Sequence, residues 1–576
     1  MAKTKSTRLL LWLAGIGVLI MVAVTVAVVL LLQDGAPGFD DEQWLHLRFS
    51  PMMADAPGNE GLLMDPADMP PLTSELSAAI LHAATDESTP GLLIEMTPIA
   101  VGWAGTQELR DALVAFQDSG KPCIVWGDQF TNREYYLASA CDDIRLAPAG
   151  ITLVNGLSMT HTYYANTLAE LGISANFEHV GDFKSAVEPY ERTGPSEAAS
   201  EATDALLDSL YSQFLRGISE GRGITMEEAG ALINNPPMNP DDALARGMVD
   251  SLAYRDQVLD EVGEERRKMS DYLKQLRRDW TRGDQRVAVI YAEGAIISGE
   301  SGSELFGGSY IGDRTLSSQL RAAREDDDIA AVVLRVNSPG GSGSASDTIW
   351  REVALTRDVK PVVISMGDYA ASGGYYISMG ANHIFAEPGT LTGSIGVFGG
   401  KMNLAGFYED WLKMSMHTYQ RGELANLFST MSDFDEAERE VFRAFLQGFY
   451  TTFVTKAAEG RSMTYEELHT VAQGRVWTGE QALELGLIDE LGSTGDAIAA
   501  AADLAGVTDY AIQRIPERKG FFDQLMDELA NPEASISLAD ELPVGIRDAL
   551  SVTATLEQVL GAGGPVTMLP GVIEIR

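Results

Sequence analysis

The chain has 576 residues, more than one hydrophobic core normally organises, so we expect two or more domains. It contains 42 Lys and Arg against 83 Asp and Glu, which gives a formal net charge of −41. This acidity repels phosphate backbones and argues against nucleic acid as a partner, although it says little about chemistry.

An apolar run near the N-terminus predicts a transmembrane helix. Residues 9–32, LLLWLAGIGVLIMVAVTVAVVLLL, contain no charge and are long enough to cross a hydrocarbon core of about 30 Å. Basic residues precede the run and acidic residues follow it, so the positive-inside rule puts residues 1–8 in the cytoplasm and the rest of the chain outside. The run exceeds the roughly 7–15 apolar residues of a cleavable signal, which favours an uncleaved anchor.

The rest of the chain contains one module written twice. Short continuous apolar runs alternate with helical patterns such as GTQELRDALVAFQ, which is typical of buried parallel strands crossed by helices. The sequence therefore predicts an α/β fold in two tandem domains. Four pairs of segments recur in the same order in the two halves: GLLIEMTPIAV and AVVLRVNSPGG, KPCIVWGDQ and KPVVISMGD, YYLASACDDIRLAP and YYISMGANHIFAEP, and GRGITMEEAGALINNPPMNPDDALARGMVDSL and GRSMTYEELHTVAQGRVWTGEQALELGLIDEL.

The predicted domain boundaries follow from where the repeat begins and ends. After a linker over residues 33–60, the first domain covers residues 61–262 and the second covers residues 286–510. The charged stretch 263–285 between them has local helical spacing and predicts a solvated connecting helix. The tail 511–576 shows only weak periodicity, and we assign it no function.

The residues that usually mark a disulfide framework or a cofactor site are scarce. Cys123 and Cys141 are the two cysteines, which excludes a disulfide framework and leaves one disulfide or two buried thiols equally open. The sequence has no paired CxxC zinc pattern, no HExxH, no EF-hand loop and no P-loop. We therefore expect no metal and no cofactor.

Candidate catalytic groups lie in the second half. The apolar run AVVLRVN ends in Ser-Pro and is followed by Gly340 and Gly341, where backbone N–H groups free of side-chain crowding suit an oxyanion hole. Further on, GTLTGSIGVFGG carries Ser394 among small residues that leave its hydroxyl open to attack a carbonyl group. The order and spacing of the two motifs favour Ser394 as a nucleophile.

The first half serves as a control for these assignments. It carries apolar residues in place of the glycine pair, and Val154 in place of Ser394. It alone keeps Lys184, in HVGDFKSAVEPYERTGPS, whose approximate counterpart in the second half is Ala425. A lysine that accepts a serine proton must have its pKa lowered from about 10.4 by burial in an apolar site. We therefore predict a dyad of Ser394 and Lys184 that is divided between the two copies.

Two rival residues are weaker candidates. His383 lies shortly before Ser394, but it opens the strand-like run HIFAEP and Asp143 replaces it in the first half, which favours a position at a strand end. Ser338 precedes a proline at a turn, where a serine usually hydrogen-bonds to its local backbone. Neither displaces the predicted dyad.

The motifs GDFKSAVEPYERTGPSE, VNSPGGS, MGDYAASGGYYIS and LTGSIGVFG together resemble signal peptide peptidase A in its long, duplicated bacterial form, the protease IV type. The resemblance covers nearly the whole chain. It implies a ClpP/crotonase-like fold, a dyad of Ser394 and Lys184, and a ring-shaped homo-oligomer, a homotetramer, on the outer, periplasmic face of the bacterial cytoplasmic membrane. It also implies a serine endopeptidase that hydrolyses cleaved signal peptides and other apolar peptides.

Two other classes of function stay open. A crotonase-like acyl-thioester enzyme would share the glycine corner, although coenzyme A is scarce outside the cytoplasm and the glycine segments contain no Glu pair. A non-catalytic membrane scaffold would use the same fold, since the first half already lacks the serine.

Overall fold

The computed structural model describes residues 42–49, 53–57, 70–303, 309–517 and 566–568. The predicted transmembrane segment 9–32 lies outside these residues, as do the N-terminus 1–8 and most of the linker and the tail. Within the described ranges, no helix is both long and apolar enough to cross a membrane.

A parallel sheet forms the centre of the first half. Its strands come from short apolar runs such as LLIE, which is buried at every position because helices cover both faces of the sheet. The described strands of this half are β1 (Trp44–Arg48), β2 (Leu92–Glu95), β3 (Cys123–Thr131), β4 (Asp143–Leu153), β5 (Ser174–Val180), β6 (Ser251–Leu252) and β7 (Arg266–Lys268). All except β5 join the sheet, in the parallel order β6-β4-β3-β2-β1-β7.

The helices of the first half pack on this sheet through apolar stripes. In the longest of them, Leu206, Leu210 and Phe214 recur at helical spacing and are buried in the core. The helices are α1 (Thr73–Thr85), α2 (Trp103–Asp118), α3 (Asn132–Ala138), α4 (Ala165–Glu170), α5 (Glu188–Glu191), α6 (Glu197–Arg222), α7 (Met226–Asn234), α8 (Pro240–Ala245), α9 (Arg255–Glu261) and α10 (Met269–Asp279).

The second half repeats this architecture around a larger sheet. The main order is β18-β16-β14-β12-β8-β20, with β15 pairing to β14 and to β19. Its pairs are parallel except the antiparallel pair of β16 and β18. The strands are β8 (Gln285–Glu293), β9 (Ala295–Ile297), β10 (Gly302–Ser303), β11 (Ser309–Gly312), β12 (Ile329–Ser338), β13 (Gly340–Ser342), β14 (Val362–Ala371), β15 (His383–Ala386), β16 (Leu391–Gly393), β17 (Val397–Asn403), β18 (Val476–Thr478), β19 (Glu490–Leu491), β20 (Tyr510–Ile515) and β21 (Val566–Met568).

The helices of the second half occupy equivalent places in the repeat. The longest helix of each half has 26 residues and follows the same pattern of strands. The prediction of two tandem α/β domains is therefore confirmed. The helices are α11 (Asp313–Glu325), α12 (Gly343–Arg357), α13 (Gly373–Ser378), α14 (Ala405–Asp410), α15 (Glu436–Arg461), α16 (Tyr465–Val471), α17 (Gly479–Glu484) and α18 (Thr494–Ala505).

A third, mixed sheet joins the two halves, in the order β10-β11-β9-β13-β21-β17-β5. Strand β5 of the first half pairs antiparallel with β17 of the second, from Val397 opposite Val180 to Asn403 opposite Ser174. Seven residue pairs make up this ladder. The two copies of the module therefore share backbone hydrogen bonds as well as side-chain packing.

Polar contacts also join the halves. Asp368 of β14 accepts hydrogen bonds from the amides of Ala104 and Gly105, in the first turn of α2, at 2.9 and 3.3 Å. A carboxylate at a helix N-terminus pairs with amides that have no intrahelical acceptor. Elsewhere, Arg216 of α6 donates to Glu480 of α17 at 2.7 Å, and the arginine side chain is 45% exposed.

The stretch 263–285 contains β7 and α10. Its helix begins at Met269 and buries Tyr272, Leu273 and Leu276 against the core of the first half, while β7 adds an edge strand beside β1. One face of the predicted connecting helix is thus packed on the first half, because its apolar residues recur at helical spacing among the charges. The domain boundaries themselves stay a prediction.

Cys123, at the start of β3, and Cys141, after α3, form a disulfide. The sequence left this pairing open. The cysteines are 18 residues apart and both are buried, so the bond restrains a loop within the core of the first half.

Removing the disulfide should destabilise the first half. Closing a loop of this size stabilises a fold by up to about 3 kcal/mol. We expect the double variant Cys123→Ala, Cys141→Ala to unfold at a lower temperature than the wild type, as followed by circular dichroism. Reductant should lower the thermal unfolding midpoint of the wild type and leave that of the double variant unchanged. Equal midpoints for oxidised wild type and the double variant would contradict a stabilising bond.

Candidate active site

Lys184 follows strand β5 and lies where the two halves of the chain meet. After the strand ends at Val180, the chain turns at Gly181, whose φ of +111° suits glycine. A Cβ there would come within 2.5 Å of the Gln473 backbone, so no larger residue fits the turn. Lys184 lies three residues after Gly181 and directly before a 3₁₀ turn, and it is 1% exposed.

The Lys184 amine contacts two serine hydroxyls. Its Nζ lies within hydrogen-bond distance of Ser372 Oγ at 2.7 Å, of Ser394 Oγ at 3.0 Å and of the Ser394 carbonyl oxygen at 3.0 Å. All three atoms are neutral oxygens, so no carboxylate among them offsets the loss of water. Burial lowers the pKa of Lys184 well below its usual value of 10.5. The site therefore favours a neutral amine that is able to accept a proton.

Ser394 meets Lys184 because of the ladder between β5 and β17. The serine lies between β16 and the first residue of β17, Val397, which is paired with Val180. Antiparallel strands bring the end of one element beside the start of the other. Ser394 is fully buried with a φ of +51°, and its amide donates to the Arg475 carbonyl oxygen at 2.7 Å.

Ser372 is the second serine on the amine. It lies where β14 turns into α13, as the residue that precedes the helix, with φ 55° and ψ −109°. This conformation is unfavourable for a residue other than glycine and is typical of a nucleophile on a sharp strand-to-helix turn. The Ser372 amide donates to the carbonyl oxygen of Gly393 at 2.8 Å, which ties the turn to β16.

The predicted oxyanion glycines lie beside the helix that follows Ser372. Gly340 and Gly341 form β13 with φ values of +108° and +153°. A Cβ on Gly374 of α13 would come within 2.6 Å of the Ser338 carbonyl oxygen, so the glycine segment and α13 are in close contact. The Gly340 amide donates to Ser338 Oγ at 3.2 Å. Strand β21 pairs antiparallel with the outer edge of β13.

The structure therefore brings Lys184 and Ser394 together in a single chain and adds Ser372, which the sequence pattern did not single out. A signal for it was present. The repeat aligns Tyr375 with Tyr135, so the counterpart of Ser372 is Asn132, and this serine too is confined to the second half. It also stands in the small-residue string AASGG, directly after a buried strand.

Neither rival residue hydrogen-bonds to the Lys184 amine, whose partners are Ser372 and Ser394. His383 stands at the start of β15, with Nε2 3.4 Å from Glu490, in agreement with a strand-end position. Ser338 is fully buried and accepts from the Gly340 amide. The described ranges hold no group of His, Cys, Asp and Glu arranged to bind a metal ion.

Comparison with known proteins agrees with this architecture. The sequence profile of peptidase family S49 matches residues 115–269 and 354–508, once in each half. The chain is 33% identical over 492 residues to the chloroplastic serine protease SPPA of Arabidopsis thaliana, covering 83% of this chain and 72% of that protein. It is 35% identical over 476 residues to Protease 4 of Salmonella typhi, covering 78% and 75% of the two chains.

Two further matches differ in strength. Protease 4 of Haemophilus influenzae is 31% identical over 518 residues, 82% of each chain. A ClpP1 mutant from Listeria monocytogenes, a solved structure, is 17% identical with a TM-score of 0.25 and covers 39% of this chain and 99% of that one, too distant for an argument about fold. The resemblance to signal peptide peptidase A is confirmed by the family profile and the Protease 4 relatives. The chain thus belongs to peptidase family S49 and is a serine peptidase that carries the family domain twice.

Proposed function

We propose that the chain hydrolyses peptide bonds with a Ser–Lys site in which Lys184 is the general base. One observation carries the proposal: a fully buried amine hydrogen-bonds to two serine hydroxyls at 2.7 and 3.0 Å. Burial lowers the pKa of this amine well below its usual value, which favours the neutral form that accepts a proton. Surface lysines have neither property.

The nucleophile is one of the two serines. The sequence pattern predicts Ser394, and three structural observations favour Ser372 instead. Ser372 Oγ is nearer to the Lys184 amine, Ser372 occupies the strained strand-to-helix turn, and its helix α13 adjoins the predicted oxyanion glycines. We therefore assign the attack to Ser372. Ser394 then holds the lysine through its hydroxyl and its carbonyl oxygen.

The proposed reaction follows from these positions. The serine Oγ attacks the peptide carbonyl carbon while its proton passes to Lys184 Nζ. The amides of Gly340 and Gly341, together with the first amides of α13, stabilise the oxyanion; Gly340 exchanges its bond to Ser338 for this role. Lys184 then donates the proton to the departing amine. A water molecule, deprotonated by Lys184, hydrolyses the acyl-enzyme and restores the serine.

An extended substrate would take the place that strand β21 occupies in the mixed sheet. The backbone of β21 lies between β13 and β17, with Gly340 opposite Met568 and Phe398 opposite Val566. A groove that accepts one extended strand beside the oxyanion glycines accepts a substrate peptide by strand addition. We propose cleaved signal peptides and other apolar peptides as substrates, since the chain resembles signal peptide peptidase A and one relative at 35% identity is named a putative signal peptide peptidase.

We also propose that residues 9–32 anchor the chain in the bacterial cytoplasmic membrane, with both domains on the outer face. The uncharged run supports the anchor. The disulfide between Cys123 and Cys141 supports the outer face, because disulfides persist in oxidising compartments.

We also propose that the chain forms a homo-oligomer, and the resemblance to signal peptide peptidase A implies a homotetramer. An exposed apolar group in the second half supports it, because monomers seldom leave such a group in water. The chain supplies both the lysine and the serines itself, so association does not complete the site. The exposed residues are Trp411, Leu412, Met414, Met416, Tyr419 and Phe428.

A fluorophosphonate probe tests the proposed peptidase. We expect the full chain to be labelled on one serine, Ser372, as mapped by mass spectrometry of tryptic peptides, and Lys184→Met to label at the background rate. Label on Ser394 would support the sequence-based nucleophile and leave the Ser–Lys site in place. A crotonase-like acyl-thioester enzyme or a non-catalytic scaffold would give no label on either serine, and that outcome would overturn the proposal.

A further inference from the structure

Arg475 lies where loops from both halves meet beside the active site. Its guanidinium carbon is 4.7 Å from the centre of the Phe183 ring and 4.5 Å from that of Trp477, within the range of cation–π attraction to both. Its Nη1 donates to Glu201 Oε1 at 2.7 Å. Phe183 and Glu201 belong to the first half, whereas Arg475 and Trp477 belong to the second. The side chain therefore bridges the halves one residue from Lys184.

The backbone around Arg475 holds the same two loops. The Ser394 amide donates to the Arg475 carbonyl oxygen at 2.7 Å, and the Phe183 amide donates to the Gln473 carbonyl oxygen at 2.9 Å. Residues 473–475 thus hydrogen-bond both to a serine of the site and to the residue before the buried lysine.

The segment 473–475 and the residues after Ser394 both pack directly on the lysine side chain. A Cβ on Gly474 would lie 2.6 Å from Lys184 Cβ, and a Cβ on Gly396 would lie 3.2 Å from Lys184 Cδ. These distances leave no space for water between the lysine stem and the segment. A displacement of either loop would admit water to the amine.

We propose that Arg475 is a positioning residue, which clamps the loop of Phe183 and Lys184 onto the second half and so keeps the amine dry and on its serine partners. The inference rests on the proposed role of Lys184. Arg475 contacts no reacting atom and acts through Phe183. The aligned residue of the first half is Pro236, so the copy without the serines also lacks this cation.

The contacts of Arg475 with the two aromatic rings hold the loops together more strongly than its ion pair with Glu201 does. Glu201 is 63% exposed at its side chain, and an exposed pair contributes little to stability. The two aromatic rings hold the guanidinium plane on a partly buried surface, where a cation–π contact is stronger. Lysine carries the same charge but lacks the planar group that lies against both rings.

The test is the pH profile of peptide hydrolysis by full-chain variants. For Arg475→Met we expect kcat to fall by about 10²-fold, with KM unchanged, because displacement by about 1 Å is enough for such a loss. We also expect the acid limb of kcat to move to higher pH, since water at the amine restores the ordinary basicity of Lys184. Arg475→Lys should recover part of kcat, and Glu201→Gln should behave as wild type. Phe183→Leu, which removes a ring and keeps the cation, should repeat the shift.

Arg216→Met is the matched control, because it breaks another arginine–glutamate pair between the halves, and neither side chain of that pair hydrogen-bonds to Lys184 Nζ. It should keep the wild-type profile. A lower kcat with an unmoved acid limb in both Arg475→Met and Phe183→Leu would overturn the inference and indicate a purely structural role. The inference would also be overturned if Arg475→Met had the kcat of the wild type while Lys184→Met was inactive. Activity in Lys184→Met would instead overturn the proposed function itself.

Discussion

Replacing Lys184 by methionine should lower kcat for an apolar fluorogenic peptide by about 10⁴-fold, because the attacking serine would lose the general base that we propose for it. Methionine keeps a linear apolar side chain in the buried channel, so we expect the variant to fold. Lys401→Met is the matched control: Lys401 is also buried on the sheet between the halves, where it donates to the Asn426 carbonyl oxygen at 3.1 Å. It should retain activity. Substantial turnover by Lys184→Met would exclude Lys184 as the base.

The proposed role of Lys184 also predicts how the activity of the wild type depends on pH. Only the neutral amine accepts the serine proton, and burial lowers the pKa of Lys184 well below 10.5. Activity should therefore persist well below pH 10.5 and fall as the pH drops through the folded-state pKa of Lys184. An acid limb near the ordinary lysine value would mean that the amine is in contact with water.

Replacing Lys184 by methionine should raise the stability of the fold, although it should lower the activity. Between the lowered folded pKa and the ordinary value of 10.5, the unfolded chain binds a proton that the folded chain does not, so the stability of the wild type rises with pH in that window. Lys184→Met removes this penalty. We expect its thermal midpoint to exceed that of the wild type near neutral pH, and the difference to shrink as the pH approaches 10.5.

The repeat allowed the division of the site between two copies to be predicted, but not the contact that unites it. The run SANFEHV predicts a strand, yet nothing local specifies that β5 pairs with β17 rather than with its own sheet. That partner is chosen by long-range packing of the two domains. The closeness of Lys184 and Ser394 depends on this ladder, in which Val180 faces Val397.

The role that we propose for Ser372 was not predicted from the sequence, for a different reason. The comparison of halves that singled out Ser394 selects Ser372 equally well, since Asn132 replaces it in the first half. Its distinguishing features are the backbone conformation of the turn and the short contact with the amine, and both exist only in three dimensions. Arg475 is similar, because its ring partners are far apart in sequence.

Alanine substitutions should separate the two serines. Ser372→Ala should lower kcat by about 10⁶-fold and abolish fluorophosphonate labelling, because the nucleophile is gone. Ser394→Ala should lose a hydrogen bond that orients the lysine, so we expect a fall of about 10²-fold with the label still on Ser372. Ser346→Ala, a buried serine that donates to the Ser342 carbonyl oxygen at 2.8 Å, is the control and should keep both properties.

The reverse outcome has an equally definite meaning. If Ser394→Ala abolishes labelling while Ser372→Ala remains labelled, the prediction from the sequence stands, and Ser372 is the residue that holds the amine. Both serines share one lysine at 2.7 and 3.0 Å, so the choice depends on which hydroxyl faces the substrate carbonyl. The close approach of α13 to the glycine segment favours Ser372 in that position, since an oxyanion hole stabilises the intermediate only beside the attacking atom.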